Sequence, residues 1–259
     1  FDRKSVYATL STLHQQLNQV EIVVVDDGSP NPVHAASGIK LVRNAQNRGL
    51  AHSRNQGLEA AANDFVAFID DDALPTPAWS QQLERAFLEG ADIVGGKIAA
   101  EWVVKKPWWF NEFNESLLGV NQDTNNPLGC NFAVRKSFLG KHDLAFDERL
   151  GRKGADLRAG EETELFIHAR EKGAKIVFNP NAIVLHILGA ERARLSYLLR
   201  RVFAEGRTEG IRQLFRLHLG YRRKNLWRAL KRRKWNALAA GLLEFPCYVA
   251  GGLWGRLFA

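Results

Sequence analysis

The stretch that most constrains this chain is an apolar run that leads directly into three carboxylates. Residues 65–69 have the sequence FVAFI, and residues 70–72 are all Asp. A short, non-alternating run of β-branched and aromatic residues predicts a strand buried on both faces, in the middle of a parallel sheet. Open α/β sheets bind ligands at the carboxyl ends of such strands, so we expect a ligand site here.

The three carboxylates repel one another, and a bound cation would remove that repulsion. Mg²⁺ and Mn²⁺ prefer oxygen ligands, and Mg²⁺ typically uses one or two carboxylates together with substrate phosphates. A solvated acidic turn before the helix predicted from Pro77 explains the same residues. The three carboxylates alone therefore do not decide between a metal site and an acidic turn.

Strands alternate with helices along residues 1–189, which predicts a parallel-rich α/β sheet. The predicted strands, besides 65–69, are 22–25, 39–42, 91–98, a strand leading into a helix over 129–139, and two short strands around a turn at Asn179 and Pro180. The predicted helices are an opening amphipathic helix bearing Val6, Leu10, Leu13 and Leu17, a helix over 49–62, one capped by Thr76 and Pro77 and ended by Gly90, and one over 161–173.

Length and composition limit the class of protein. A chain of 259 residues can bury one substantial core and carry an appendage. Its two cysteines form no metal-binding spacing and no disulfide framework, which favours a reducing compartment. Because the chain contains no methionine at all, we expect it to be a fragment of a longer protein.

The charges are distributed unevenly, and this sets a boundary near residue 190. Residues 1–189 hold 20 Lys and Arg against 24 Asp and Glu, whereas residues 190–259 hold 16 against 4. The sequence therefore predicts a body over 1–189 and a basic, amphipathic helical tail over 190–259.

The tail combines a basic segment with an apolar one. Residues 221–235 carry eight Lys and Arg among Trp and Leu side chains. The block that follows is apolar but is interrupted by Glu244 and Pro246, which predicts an interfacial or re-entrant segment and a poor spanning helix. Such a tail suits anionic lipid, nucleic acid or a protein partner, or it packs on the body as a solvated helix. We favour peripheral contact with the inner face of the membrane, with no nucleic acid as partner.

Six segments, taken in order, resemble the family 2 glycosyltransferases, which have the GT-A fold. They are EIVVVDDGSPN, NRGLAHSRNQGL, FVAFIDDDALP, GCNFAVRKSF, FDERLGRKGADLRAGEETEL and VLHI. The resemblance implies a nucleotide-binding α/β domain with a mixed, Rossmann-like sheet and helices on both faces. It also implies a hexosyltransferase-like enzyme that moves one sugar, with inversion, from a nucleotide-diphosphate sugar to a hydroxyl of a glycan or lipid-linked acceptor, such as a cell-surface polysaccharide.

The same resemblance implies residues that bind the nucleotide and the metal. Asp27 matches a carboxylate that accepts a hydrogen bond from the base, and Arg54 matches an arginine near the base and phosphates. Asp70 and Asp71 match residues that contact the nucleotide. Mn²⁺ or Mg²⁺ would be bound by Asp72, with Asp70 and His186 as further candidates.

The resemblance further implies the base and the pocket. Glu162, next to Glu161, matches the general base, although Asp is commoner at that position in the family. Acidic residues are also common in a first helical turn for dipole reasons alone. Gly129 and Asn131 match the donor and acceptor pocket. Trp109, beside Trp108, stacks on an acceptor sugar or packs in the core.

Two departures from the family pattern bear on activity. The family's first strand is missing, and so is the signature of processive synthases, so we expect transfer of single sugars. Two alternatives stay open. A sugar-phosphate nucleotidyltransferase would share the nucleotide-binding architecture. A non-catalytic protein that binds a membrane or nucleic acid would explain the tail but not the carboxylates.

Overall fold

The computed structural model describes residues 3–16, 20–34, 37–121, 127–212 and 215–257. Helices and strands are interspersed until β7, and helices alone follow. The elements are α1 (Arg3–Gln16), β1 (Ile22–Asp26), β2 (Ile39–Arg43), α2 (Leu50–Ala60), β3 (Phe65–Ile69), β4 (Ala73–Pro75), α3 (Trp79–Leu88), β5 (Ile93–Trp102), a 3₁₀ turn (Glu115–Leu118), β6 (Asn131–Arg135), α4 (Lys136–Lys141), α5 (Glu161–Glu171), β7 (Ile176–Leu188), α6 (Leu195–Ile211), α7 (Phe215–Lys231) and α8 (Trp235–Leu257). Leu17, expected on the face of the opening helix, lies outside the described residues.

The chain divides into two compact units. The first unit contains Phe1–Glu101, Gly119–Gly154 and Glu161–Ile187. The second unit contains Trp102–Leu118, Ala155–Gly160 and Leu188–Ala259. The second unit thus includes the whole segment from residue 190 onward together with two segments from within residues 1–189.

The strands of the first unit do not form the parallel-rich sheet that the alternation of elements predicts. Five strands are ordered β3-β6-β5-β7-β4, and β3 pairs antiparallel with β6, β5 with β6, and β4 with β7. Parallel pairing is described between β1 and β2. β3 is therefore the end strand of its sheet, and the expectation of a central parallel strand was wrong. The expected burial on both faces was wrong as well, because no residue of β3 is fully buried and Phe65 and Ala67 are exposed. An apolar run does not specify the neighbours of a strand, and an end strand has a neighbour on one side only.

Helices cover both faces of this mixed sheet, as the fold class predicts. One apolar cluster joins Val94 of β5 and Ala133 of β6 to α1 and α3. The neighbouring residues Ile93 and Phe132 point the other way, into a cluster with α2, α4 and α5. Because successive side chains of a strand alternate between faces, each strand serves both clusters.

Two element boundaries differ from the expected ones. α3 begins at Trp79 because the Thr76 hydroxyl donates a hydrogen bond to the Ile183 carbonyl across the sheet, so it does not cap the helix. β7 runs unbroken past Asn179 and Pro180, where two strands were expected. Pro180 is exposed, and extended backbone accommodates the fixed φ of proline.

The second unit is built mainly from α6, α7 and α8. Among the described residues, α8 is the helix that is long and apolar enough to cross a membrane, judged by length and composition alone. It runs for 23 residues without a break at Pro246, where the sequence suggested an interruption.

Candidate active site

The Asp70–Asp72 segment joins β3 to β4, and the pairing of β4 with β7 brings it to His186. Ala73 lies opposite His186 in the antiparallel register. As a result, Asp72 Oδ1 lies 3.2 Å from His186 Nε2. His186 Nδ1 lies 3.1 Å from the carbonyl oxygen of Gly119. Both ring nitrogens therefore lie beside oxygen atoms.

Arg54, on α2, is buried at the centre of a group of carboxylates. Its guanidinium donates one hydrogen bond to Glu161 Oε1 and one to the Gly129 carbonyl, each at 2.5 Å. Asp70 Oδ1 lies 3.5 Å and Glu162 Oε2 3.9 Å from the same guanidinium. Three carboxylates therefore surround one cation, and the group carries excess negative charge when all of them are ionised.

This crowding changes the protonation of the acidic residues. Burial, and then the neighbouring charge of Glu162, raises the pKa of Glu161 to about 7, although Arg54 opposes the shift. Burial also raises the pKa of Asp70 against the effect of Arg54. Asp71 reaches solvent, yet the protein packed around it and the charges of Asp72 and Asp70 raise its pKa to about 6. The site therefore favours an additional positive charge.

The two glutamates begin α5, directly after Gly160, whose φ is +108°. Negative side chains are favoured there because the first turn of a helix exposes N–H groups. Glu161 Oε2 and Glu162 Oε2 are buried and have no hydrogen-bond partner among the described residues. Unpaired buried oxygens are costly, so a hydrogen-bond donor or a cation beside these two oxygens would be stabilising.

Glycine keeps backbone close to these carboxylates. A Cβ atom added at Gly129 would lie 3.2 Å from Glu162 Oε1, and one at Gly151 would lie 3.1 Å from Glu161 Oε2. The Gly151 φ of +82° also disfavours a side chain at that position. Gly129, expected in the pocket, is thus next to the expected base.

Asp27 orders the loop that leads into α2. Its Oδ1 accepts hydrogen bonds from Asn44 Nδ2 and Arg48 N, and its Oδ2 accepts one from Gly49 N, all at 2.8 Å. A carboxylate has about four acceptor positions, so Asp27 can still read an N–H of a nucleobase. The base-binding role expected from the sequence stays a prediction.

The side chain of Asn131 is fully engaged inside the first unit. Its Oδ1 accepts a hydrogen bond from Trp79 Nε1 at 2.8 Å. Its Nδ2 donates to the carbonyls of Lys97 and Ala182, both at 2.9 Å. The polar atoms of Asn131 therefore already have partners. Asn131 would contribute to a pocket by holding β6 in place and not by contacting a ligand.

Trp109 belongs to the second unit, where it is 1% exposed, whereas its neighbour Trp108 is 51% exposed. The carbonyl of Trp109 accepts hydrogen bonds from the side-chain amides of Asn111 and Asn114. This burial is typical of core packing, which was one of the two roles considered for Trp109.

The structure also bears on the expected metal ion. Within the described ranges, no cluster of three or more His, Cys, Asp or Glu side chains is suited to hold a metal. Asp72 and His186 do fit as two neighbouring ligands. Their 3.2 Å separation is close to the roughly 3 Å between adjacent ligands of an octahedral ion with bonds of about 2.1 Å. Phosphate oxygens and water would have to complete the set.

Two features of this site were not foreseen from the sequence. One is the hydrogen bond from Arg54 to Glu161, which are 107 positions apart. The other is the Gly119 carbonyl that faces the His186 ring. No local pattern signals either contact, because each arises only when distant segments meet.

Comparison with known proteins found a matching family model and several relatives. The model of the family described as Glycosyl transferase family 2 matches residues 3–157. The glucosyl-dolichyl phosphate glucuronosyltransferase of Haloferax volcanii is 28% identical over 222 residues, covering 79% of this chain and 71% of that protein. The succinoglycan biosynthesis protein ExoM of Rhizobium meliloti is 28% identical over 204 residues, covering 74% and 64%.

Two solved structures share the fold. The crystal structure of GalNAc-T7 with UDP, GalNAc and Mn²⁺ aligns with a TM-score of 0.55 at 17% identity, covering 82% of this chain and 48% of that one. The structure of a fragment of S. aureus TarS in complex with UDP aligns with a TM-score of 0.51 at 19% identity, covering 78% and 62%. This chain thus spans less than two thirds of ExoM and of both solved chains.

Proposed function

We propose that this chain, which belongs to glycosyl transferase family 2, moves a single sugar from a UDP-linked donor to a hydroxyl of a glycan or lipid-linked acceptor, with inversion at the anomeric carbon. The observation that carries the proposal is the group of carboxylates around Arg54 and beside Gly129, next to the pair of Asp72 and His186. The UDP found in GalNAc-T7 and TarS supports the choice of donor. The family match favours sugar transfer over nucleotidyl transfer.

Glu162 is the proposed general base. The acceptor hydroxyl oxygen attacks the anomeric carbon on the face opposite the leaving diphosphate, and its proton passes to the Glu162 carboxylate. The bond between the anomeric carbon and the diphosphate oxygen breaks as the new glycosidic bond forms. Glu162 is better placed for this than Glu161, because Glu161 is held by Arg54 at 2.5 Å while Glu162 Oε2 is 3.9 Å from it.

Glu161 and Arg54 are proposed to position the site. Arg54 joins α2 to the start of α5 and to Gly129, and its charge also faces Asp70. A buried guanidinium with several partners fixes those groups relative to one another. Asp27 is proposed to bind the base of the nucleotide, with Asp71 near the nucleotide as well.

A divalent ion, Mn²⁺ or Mg²⁺, is proposed to be held by Asp72 and His186, with Asp70 nearby. When bound, such an ion neutralises the charge that develops on the leaving diphosphate. The excess negative charge of Asp70, Asp71 and Asp72 and the raised pKa values of Asp70 and Asp71 support this assignment. The Mn²⁺ in the GalNAc-T7 crystal supports the choice of metal.

The proposal also includes a location, at the cytoplasmic face of a membrane with peripheral contact through residues 190–259. The basic composition of this segment and the lipid-linked substrate in the name of the Haloferax volcanii relative support it. Binding to vesicles of anionic lipid at low salt tests this part.

A donor screen with nucleotide sugars and Mn²⁺ tests the chemistry. We expect Glu162→Gln to lower the rate of transfer or of donor hydrolysis by about 10²–10⁴-fold, the usual contribution of a general base. UDP binding in the presence of Mn²⁺, measured by calorimetry, should change less than about threefold. Glu171→Gln, at the exposed end of the same helix, is the matched control and should leave both unchanged. Full activity of Glu162→Gln would reassign the base, and absence of UDP binding in the unaltered chain would refute the donor assignment.

A further inference from the structure

The outward surface of α8 is apolar along most of its length, and its exposed polar residues, Asn236 and Arg256, lie near its two ends. Its exposed apolar positions recur at helical spacing on one face, from the first turn to the last. They are Trp235, Ala239, Leu242, Leu243, Pro246, Ala250, Leu253, Trp254 and Leu257. Leu257, Leu242 and Leu253 remain 78%, 59% and 53% exposed. A helix of 23 residues is about 34 Å long, so this strip is far larger than the scattered apolar residues of a soluble surface.

The inward face of α8 consists of small residues and two polar side chains, Glu244 and Tyr248. Glu244 is buried and accepts hydrogen bonds from Asn114 Nδ2 at 3.0 Å and Arg222 Nη1 at 3.1 Å. The Arg222 guanidinium lies over the Tyr248 ring, 4.3 Å from its centroid. A helix of a water-soluble protein turns its apolar face inward and its polar face outward. In α8 the large apolar side chains face outward, whereas the inward face carries Ala and Gly together with Glu244 and Tyr248.

The inward face is filled by α6, so α8 cannot rotate to hide its apolar strip. A Cβ atom added at Gly206 of α6 would lie 2.3 Å from the Tyr248 carbonyl oxygen, and one added at Gly251 of α8 would lie 2.0 Å from the Phe203 carbonyl oxygen. The two backbones are therefore in direct contact through small residues, a mode of helix packing that is common in membranes.

A cationic and aromatic belt precedes the apolar strip. Residues 231–234 have the sequence KRRK and form the turn between α7 and α8. Lys231 Nζ lies 5.0 Å from the centre of the Trp227 ring, and both Trp227 and Trp235 are more than 60% exposed. Exposed Lys, Arg and Trp at one end of an apolar surface match the charge and polarity of anionic lipid headgroups.

We infer that α8 lies in the plane of a lipid bilayer with anionic headgroups, with its outward face in the acyl-chain boundary and residues 231–234 at the headgroups. An in-plane position is favoured over a spanning one because α6, in contact along α8, carries charged residues that include Arg201, Arg207 and Glu209. This inference deepens the membrane part of the proposed function. It adds insertion of α8 to the peripheral contact proposed above.

Vesicle flotation of the full chain separates these two modes. With vesicles of phosphatidylglycerol and phosphatidylcholine, we expect binding that persists at 1 M NaCl, where screening removes electrostatic contacts. A triple variant with Leu242→Asn, Leu253→Asn and Leu257→Asn should partition into vesicles at least about tenfold more weakly. The reason is that it replaces three apolar side chains in the acyl-chain boundary with polar ones. The matched control Leu88→Asn, Val103→Asn, Val104→Asn alters three exposed apolar residues elsewhere and should bind like the unaltered chain. Circular dichroism checks that both variants fold.

Depth measurements distinguish in-plane from spanning insertion. An NBD label is attached to Leu242→Cys or to Leu253→Cys in a Cys247→Ser background, where the remaining Cys130 is buried. If α8 lies in the plane, lipids brominated at one depth should quench both labels equally. The two positions are about 16 Å apart along the helix, so a spanning helix would give clearly unequal quenching and overturn the in-plane arrangement.

Binding at low salt that is lost at 1 M NaCl would overturn insertion while leaving the peripheral contact of the proposed function intact. A water-soluble dimer that binds no vesicles at any salt concentration would overturn both.

Discussion

Replacement of Glu161 by Gln gives the sharpest test of the carboxylate group, because Gln is nearly isosteric with the protonated form of Glu. The pKa of Glu161 is about 7 in the folded protein, against an ordinary value of 4.5. At pH below 4.5 the carboxyl is protonated in both the folded and unfolded states. As the pH rises from 4.5 to 7, the unfolded state ionises first, so the free energy of unfolding of the unaltered protein falls.

The magnitude follows from the shift between these two pKa values. Each unit corresponds to about 1.4 kcal/mol, so ionisation of Glu161 lowers the free energy of unfolding by about 3 kcal/mol between pH 4.5 and pH 8. Glu161→Gln cannot ionise and does not pay this cost. We expect the variant to be more stable than the unaltered protein by about 1 kcal/mol at pH 5 and by about 3 kcal/mol at pH 8.

Urea unfolding followed by circular dichroism at pH 5, 6, 7 and 8 measures this difference. Glu171→Gln, an exposed substitution on the same helix, should follow the unaltered protein at every pH. If Glu161→Gln is instead less stable than the unaltered protein at pH 8, the ion pair between Arg54 and Glu161 outweighs the burial and repulsion that raise the pKa. A difference that does not change with pH would show that Glu161 does not titrate in this range, and either result would refute the reasoning.

Two further substitutions each test a contact inside one of the two units. Asp27→Asn places an amide NH₂ group opposite Gly49 N, which then loses its acceptor. Because an unpaired buried N–H is costly, we expect the free energy of unfolding to fall by about 1–3 kcal/mol. A loss below about 0.5 kcal/mol in urea unfolding would contradict this expectation. Gly251→Ala puts a Cβ atom against the Phe203 carbonyl and should destabilise the contact between α6 and α8 by more than about 2 kcal/mol, measured by hydrogen exchange in α6. Gly220→Ala, where a Cβ atom meets nothing within 4 Å, is the control and should be neutral or stabilising, and equal effects of the two glycine substitutions would count against close packing.

The sequence by itself determined the order of the elements and the local chemistry of the site. The spacing of apolar residues, short apolar runs and turn residues are local properties, so α2, β3 and α5 lie close to where they were expected. The family follows from motifs in a fixed order, and the match to residues 3–157 confirms it. The carboxylates after β3 and at the start of α5 stand out because acidic residues are grouped at element ends.

Only the tertiary structure decided which of these residues meet. The place of β3 at the end of an antiparallel sheet depends on pairing with β6, some 65 residues later, and no local pattern encodes that choice. The hydrogen bond of Arg54 with Glu161 and the approach of His186 to Asp72 have the same origin. Packing also determined which face of α8 is exposed. The glycines of α8 let the backbone of α6 approach one side of the helix, so the opposite side stays exposed. Long-range contacts of this kind arise from register and close packing between segments far apart in the chain, whereas hydrophobic periodicity records only what each segment buries.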